Sequence, residues 1–481
     1  MPLYRTLSSI LRVAVAILIS ATAHADERPP LPEVDRHSLT DAELFGKLDP
    51  GHPAMAKVRA IYRKQGTEAG KKALADYFRQ RKEPWWQVDP HTRTTQQQTL
   101  SERDRKMADD AMQHVYDPRR SSRPRHWFGE DIDWLDNPTY ADEHEFDKEW
   151  SMTFLRMPWW NGLGAAYWAT GDEKYAQEIV DQFLDFREDH PIPTENHGWL
   201  ASHPLKYVTP EWRTLETSIR IRGSWGGSFF RLLTSPSFTD EALCEMLKAF
   251  WEMGDYLRQF TRVEGRTNNW TTSELLSLHT VGALFPEFQA AAGWRDYAID
   301  SMWREFKKQV YPDGVQWELA PSYGRGVTRH FRALADTAEL AGDELPEGYR
   351  QRLEGMYHYF LYSSVEGRCP AFGDSSHSDI GAMMRLAASD FPGRGDFQWA
   401  ASGGKNGKQP GKLTEAWPWA GQYAMRSGWE ASDRFMIIDA GPFGVSHQNE
   451  DFLNYEMFAF GDYLLIDAGK YRYNYDSPWR E

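Results

Sequence analysis

The chain has 481 residues, of which 41% are hydrophobic and 26% charged, a balance that suits a folded protein of two or three domains and excludes a chain disordered throughout. Its formal net charge of −15 argues against broad binding to nucleic acid or to anionic membranes, so an anionic partner would need a locally basic cleft. The two cysteines, Cys244 and Cys369, offer no metal-ligand spacing and leave a disulfide open.

The first 25 residues read as a secretory signal. Arg5 and Arg12 give a positive start, Val13 to Ile19 form a short apolar run, and Ala23-His24-Ala25 supplies a small-x-small cleavage pattern. That run is far shorter than the roughly 20 residues a bilayer core requires, so a periplasmic or secreted protein without a membrane anchor is expected. Cleavage removes two arginines and no carboxylate, moving the net charge from −15 to −17.

Residues 26–95 are mixed in texture, with a helical stretch near Met55–Arg81. From 96 to 392 the spacing predicts helix after helix. Leu243, Met246, Leu247, Phe250, Met253, Leu257 and Phe260 recur at three- and four-residue steps, as do Tyr175, Ile179, Phe183 and Phe186. Short breaks such as Thr170-Gly171-Asp172 and Ser235-Pro236-Ser237 separate them. Helices joined by short loops imply stacked helical hairpins, as a solenoid or a closed α/α toroid, and periodicity does not choose between these. Residues 393–415 read as a Gly- and Lys-containing linker. After it come strands: Arg434–Asp439, then Tyr455–Phe460 and Tyr463–Asp467 about a two-residue turn at Gly461-Asp462, suited to type II′. The segment 416–481 reads as the start of an antiparallel β-domain whose remainder is missing, since a few strands do not cover their own apolar faces. Nothing in the sequence sets an oligomeric state.

Four segments carry polar side chains of chemical interest: Asn268-Asn269-Trp270 followed by Glu274 and His279; Asp313 to Glu318 running on to Pro321-Ser322-Tyr323; Phe372-Gly373-Asp374; and Gly444-Val445-Ser446-His447 continuing to Asp451. Taken singly, each has a plain reading. Asn269 would cap the helix starting near Trp270, Tyr323 would be a half-buried aromatic, and His447 would sit in an exposed loop.

Together, and with Trp159-Trp160-Asn161-Gly162-Leu163-Gly164, Trp212 to Glu216 and on to Arg220, Phe285-Pro286-Glu287, Met425 to Trp429 and Asp439 to Phe443, these segments resemble the heparinase II/III-type polysaccharide lyases, in the heparinase III-like branch. The resemblance covers most of the chain. It implies an N-terminal α/α toroid followed by an antiparallel β-sandwich, and β-elimination at a uronic acid in an acidic polysaccharide, with a heparan sulfate-like glycosaminoglycan favoured. It also implies roles. Asn269 neutralises the uronate carboxylate, Tyr323 protonates the leaving O4 and can also take the C5 proton, and His447 is a base for the opposite face or a second neutraliser. No cofactor is needed for that chemistry. Some relatives hold a metal in the β-domain, but Asn449 stands at one ligand position and only Asp467 matches another, so no zinc site is expected and a hard cation is left open. Gly324 replaces a His that often follows the Tyr.

Substrate contacts are expected from Arg156, Arg213, Arg220, Trp270 and Glu318. Arg213 and Arg220 lie seven apart with Glu216 between them, either as an exposed ion-pair ladder or as a basic stripe toward the polymer. Arg266, Arg325 and Arg329 are further candidates, and Trp159, Trp160 or Trp270 would stack on sugars. Three alternatives remain. One is a lyase for alginate or another bacterial uronate polymer. The second is an α/α glycoside hydrolase using Glu318 and Asp374. The third is a non-catalytic glycan binder, which would leave Asn269 and Tyr323 facing different ways.

Overall fold

The computed structural model describes residues 31, 33–93, 99–116, 125–139, 147–196, 207–265, 267–442, 445–449 and 452–470; the signal reading of residues 1–25 lies outside them. The chain forms two compact units, the first running to Met253 and the second starting at Gly254, inside the helix Asp240–Phe260. No helix among the described residues is long and apolar enough to cross a membrane. Cys244 and Cys369 are both free and buried.

The described residues of the first unit are largely helical, with short antiparallel pairings such as Arg36–His37 with Ile192–Pro193 and Val115–Tyr116 with His126–Trp127. Its helices start and stop where the local chemistry asks. Gly171, in the left-handed region at φ 72°, ends Trp160–Thr170, and the Asp172 side chain caps the next helix, Glu173–Asp189, by accepting from Lys174 N–H. Trp134, Trp150, Trp160, Trp212 and Trp225 are fully buried. Trp159 and Trp160 belong to this interior and are not sugar platforms: both indole N–H groups donate to Gln182 Oε1 at 2.8 Å.

In the second unit the helices are α1 (Asn269–Leu284), α2 (Ala291–Gln309), α3 (Pro321–Ala341), α4 (Tyr349–Tyr362), α5 (Gly381–Asp390) and α6 (Gly395–Ala401). Helix α6 lies inside the stretch read as a linker and buries Phe397, so that stretch is in part ordered core. α1 and α3 run parallel and in register. Thr272 meets His330 at 2.9 Å, and seven residues further along each helix His279 meets Thr337 at 2.9 Å. α2 returns antiparallel to α1, its last residue Gln309 donating to Asn268 O. Phe306 and Phe331 stack at 3.7 Å in the apolar centre.

A five-stranded antiparallel sheet follows in the order β1 (Thr414–Trp417), β2 (Gln422–Arg426), β3 (Phe435–Asp439), β4 (Asn454–Ala459) and β5 (Asp462–Leu465). Alternation sends Ala424, Phe435, Ile437 and Phe458 into the same core as α3 and α4. Tyr359 ties α4 to the sheet by donating to Gln422 Oε1 at 2.8 Å. The β4–β5 turn differs from expectation. Ala459 pairs with Asp462, so Phe460-Gly461 is the loop, and both have positive φ (59° and 83°). That is a type I′ turn displaced by one residue from the II′ turn read at Gly461-Asp462.

Candidate active site

The first helix turn of α1 separates the two asparagines. Asn268 is the N-cap: its side chain accepts from Trp270 N–H at 3.0 Å. Asn269 is therefore released from the capping role the bare sequence would give it. Its Nδ2 donates to Glu318, 3.1 Å from Oε1 and 3.4 Å from Oε2.

Glu318 reaches that place through a reversal of the chain after α2. Gly314 occupies φ +93°, and a Cβ there would lie 2.4 Å from Gly355 O, so the turn at Asp313-Gly314 requires glycine. The chain then comes back alongside α2, with Trp317 N–H donating to Gln309 O at 2.7 Å. Gln316 grips its neighbour twice, accepting from Glu318 N–H at 3.0 Å and donating to Oε2 at 2.9 Å. Leu319, at φ 51°, is strained in the left-handed region and turns the chain into α3. The Glu318 side chain is 0% exposed. Burial pushes its carboxyl above the ordinary range, against the pull of His447, Asn269 and Gln316. The expected role as a direct substrate contact is corrected on this ground: Glu318 is buried and holds Asn269.

Tyr323 lies in the first turn of α3, and its ring stacks on that of His447 with centroids 3.6 Å apart and planes 10° from parallel. Rings in face contact leave no gap for a sugar, so His447 does not stand on the opposite face from Tyr323. His447 Nδ1 is 2.8 Å from Asp374 Oδ2, and Nε2 is 3.9 Å from Glu318 Oε1. Asn269, Glu318, His447 and Tyr323 thus form one continuous chain of contacts. The two carboxylates proposed for hydrolysis bracket the imidazole, one at each nitrogen, and the Glu318 side chain is fully buried. Because α1 and α3 are parallel, their N-terminal ends, carrying Asn269 and Tyr323, face the same way, and both helix dipoles favour negative charge there.

Trp270 is half-buried beside Asn269. Gly324 turns inward: a Cβ there would meet Phe360 at 3.5 Å and Gln316 at 3.6 Å, so this position faces the core. Arg325 and Arg329 follow Tyr323 by two and six residues, which at about 100° per residue turns both away from its side of the helix. Arg325 donates to Asp379 O at 3.0 Å. Arg266, Phe443, Gly444, Glu450 and Asp451 lie outside the described residues.

The three arginines expected at the substrate belong to the first unit. Arg220 is fully buried, its guanidinium 4.6 Å from the Trp212 ring centre and 5.4 Å from that of Trp225, donating to Leu155 O. It is a core residue, neither a rung of an exposed ladder nor a substrate contact. Arg213 and Arg156 converge on buried Glu216. Arg213 donates from Nε and Nη2, and Arg156 Nη2 lies at 2.8 Å. Burial would raise the Glu216 carboxyl, but the two guanidinium groups hold it below its ordinary range. Their charge is committed within the unit.

At the two β-domain positions read as metal-ligand candidates, polar side chains are present in ordinary surroundings. Asn449 is an exposed amide, and Asp467 accepts from the Asn454 amide and from Gly469 N–H.

The resemblance seen in the motifs extends along most of the chain. The heparinase II/III N-terminus family model matches residues 44–399, and the heparinase II/III-like C-terminal model matches 409–481. A heparin-sulfate lyase of Bacteroides stercoris is 30% identical over 444 residues, 90% of this chain and 65% of its own length. A second, from Pedobacter heparinus, is 31% identical over 441 residues, 90% and 64%. The chain therefore spans slightly less than two thirds of these curated relatives. The crystal structure of heparan sulfate lyase HepC from Pedobacter heparinus superposes with a TM-score of 0.67 at 29% identity, covering 91% of this chain and 66% of that one. A heparinase III structure gives 0.71 at 28%, covering 91% and 67%. The expected fold, a helical toroid followed by an antiparallel β-domain, is the one shared with these structures. With matches over both parts of the chain, the protein belongs to the heparinase II/III family.

Proposed function

We propose that this protein is a polysaccharide lyase that cleaves a uronic-acid-containing polymer, with a heparan sulfate-like glycosaminoglycan favoured, by β-elimination. The observation that carries the reading is the convergence of Asn269, Tyr323 and His447 in one constellation within one unit. The names of the relatives support the substrate class.

In this reading the Asn269 amide, held by Glu318, donates to the uronate carboxylate, and the N-terminal ends of α1 and α3 favour the negative charge that builds as C5 loses its proton. His447 Nε2 takes the C5 proton, a C4–C5 double bond forms as the C4–O4 bond breaks, and the Tyr323 hydroxyl gives its proton to O4. Because the two rings stack, proton removal and proton return are made from one side of the sugar.

Incubation of the chain with heparan sulfate, alginate and other uronate polymers tests this through the ultraviolet absorbance of unsaturated uronate. Heparan sulfate should give the largest rise, and Tyr323→Phe should reduce it by about 10²–10⁴-fold, the contribution of a general acid. Products without new absorbance would instead indicate hydrolysis, and full activity in Tyr323→Phe would remove that residue from the mechanism.

A further inference from the structure

Asp374, offered by the sequence as half of a hydrolytic pair, lies against the imidazole of His447. It grips His447 twice. Its backbone N–H donates to His447 O at 2.7 Å, and its carboxylate lies 2.8 Å from His447 Nδ1. The preceding residue is built for this approach. Gly373 has φ +60°, and a Cβ there would lie 2.5 Å from His447 O, so the two backbones meet only because that position is glycine. On the other side of the contact, Ser446 and His447 are themselves held at φ 64° and 56°, a conformation that persists only where the surroundings enforce it. The segment is anchored in turn: Ser375 Oγ accepts from Ser322 N–H in the first turn of α3, and Ser375 O accepts from Lys470 N–H. The same few residues therefore secure both the Tyr323 helix and the His447 loop.

A carboxylate accepts hydrogen bonds and does not donate them, so a 2.8 Å contact with Asp374 requires the proton of the neutral imidazole to sit on Nδ1. We propose that Asp374 is a positioning residue that fixes the tautomer of His447, keeping Nδ1 protonated and presenting Nε2 as the proton acceptor. The catalytic consequence rests on the lyase reading; the tautomer does not. A role confined to holding the loop would need only the Asp374 backbone N–H, which any side chain at that position leaves in place.

The two roles separate in Asp374→Asn. The backbone bond and the side-chain shape remain, but the charge is gone and one of the two oxygens becomes an NH2 group; with Nδ2 in the place of Oδ2, the atom 2.8 Å from the ring, Nδ1 accepts and the proton moves to Nε2. The experiment is the ¹⁵N spectrum of histidine-labelled 481-residue chain, taken where His447 is neutral, beside steady-state rates. In the wild type the His447 signals should show Nδ1 protonated. In Asp374→Asn they should exchange, with kcat falling about 100-fold or more, the lower end of what a general base contributes, and KM changing by less than about twofold. A wild-type spectrum with the proton on Nε2 overturns the proposal without recourse to any variant, and so does an Asp374→Asn protein of wild-type kcat. If the wild type eliminates none of the polymers, the lyase reading falls, and the wild-type spectrum still decides the tautomer.

Discussion

Adjacent asparagines at the start of α1 divide two tasks that one residue could not perform together. Asn268 spends its side chain on Trp270 N–H, and Asn269 gives its amide to Glu318. If Glu318 acts by aiming that amide, the two residues form one functional unit and their losses should not add. Asn269→Ala should lower kcat/KM by about 10²–10³-fold, as for loss of one donor to a developing anion. Glu318→Ala should cost somewhat less, and the double variant should match Asn269→Ala within about twofold. Initial rates of unsaturated-uronate formation measure all three, and additive losses would show that Glu318 works through something other than Asn269. At this scale the motifs singled out Asn269, Tyr323 and His447, which the fold then brings together, because each stands in a segment with a recognisable order of neighbours. They gave no sign that Asp374 pairs with His447, since 73 residues separate the two and only the fold joins them. The misplacement of Arg220 has a similar origin. Helical spacing says which residues share a face, but whether a guanidinium on that face meets water or a cluster of tryptophans is decided by tertiary packing.

The elements that bring the site together are α1 and α3, and their parallel register is written in two Thr–His contacts of opposite sense, Thr272 with His330 and His279 with Thr337. His279 is buried and also meets Asp343 at 3.0 Å, which in turn accepts from Arg295 Nε at 2.9 Å. Burial depresses the His279 pKa below its ordinary 6.5 despite Asp343. The hydrogen bond from His279 holds Asp343 below its ordinary 3.8, with Arg295 adding to it against the opposing effect of burial. Both shifts have the same consequence. As pH falls through 6.5 the unfolded chain takes up a proton at His279 before the folded one does, and below 3.8 the same holds at Asp343. Stability from these groups is therefore complete above pH 6.5 and lost on acidification. Urea titrations should show the unfolding midpoint dropping between pH 7 and about 5. His279→Gln should lower the midpoint at pH 7 and flatten that fall, and an unchanged slope would place the acid sensitivity elsewhere. Elements of this kind were legible where periodicity was long, as in Glu173–Asp189. They were not where composition misled, as in the Gly- and Lys-containing stretch that holds α6, or where a turn hinged on one residue, as at Phe460-Gly461.

At the scale of the whole molecule, the sheet that carries β1 to β5 has one face in the core and a second that is apolar but uncovered among the described residues. The register aligns Tyr423 with Ile438 and Tyr455 in one row, and Met425 with Met436, Met457 and Leu465 in the next. Tyr423, Met425, Tyr455 and Leu465 are each about 40% exposed. Isolated apolar side chains at a surface mean little, but two adjacent rows across four strands make a contiguous patch, which soluble proteins ordinarily cover. In a β-sandwich a second sheet supplies that cover, about 10 Å away, and an antiparallel β-sandwich is what the resemblance implied for this part of the chain. The 481-residue chain should therefore bind a hydrophobic fluorescent dye under native conditions and associate as its concentration rises. Replacing Met425 and Tyr455 together by Lys, on the outward face where neither packs against the core, should reduce dye fluorescence several-fold and shift sedimentation toward the monomer, with the helical circular dichroism unchanged. Absence of dye binding by the wild type would mean that the patch is covered, and would place its cover among residues outside the described set.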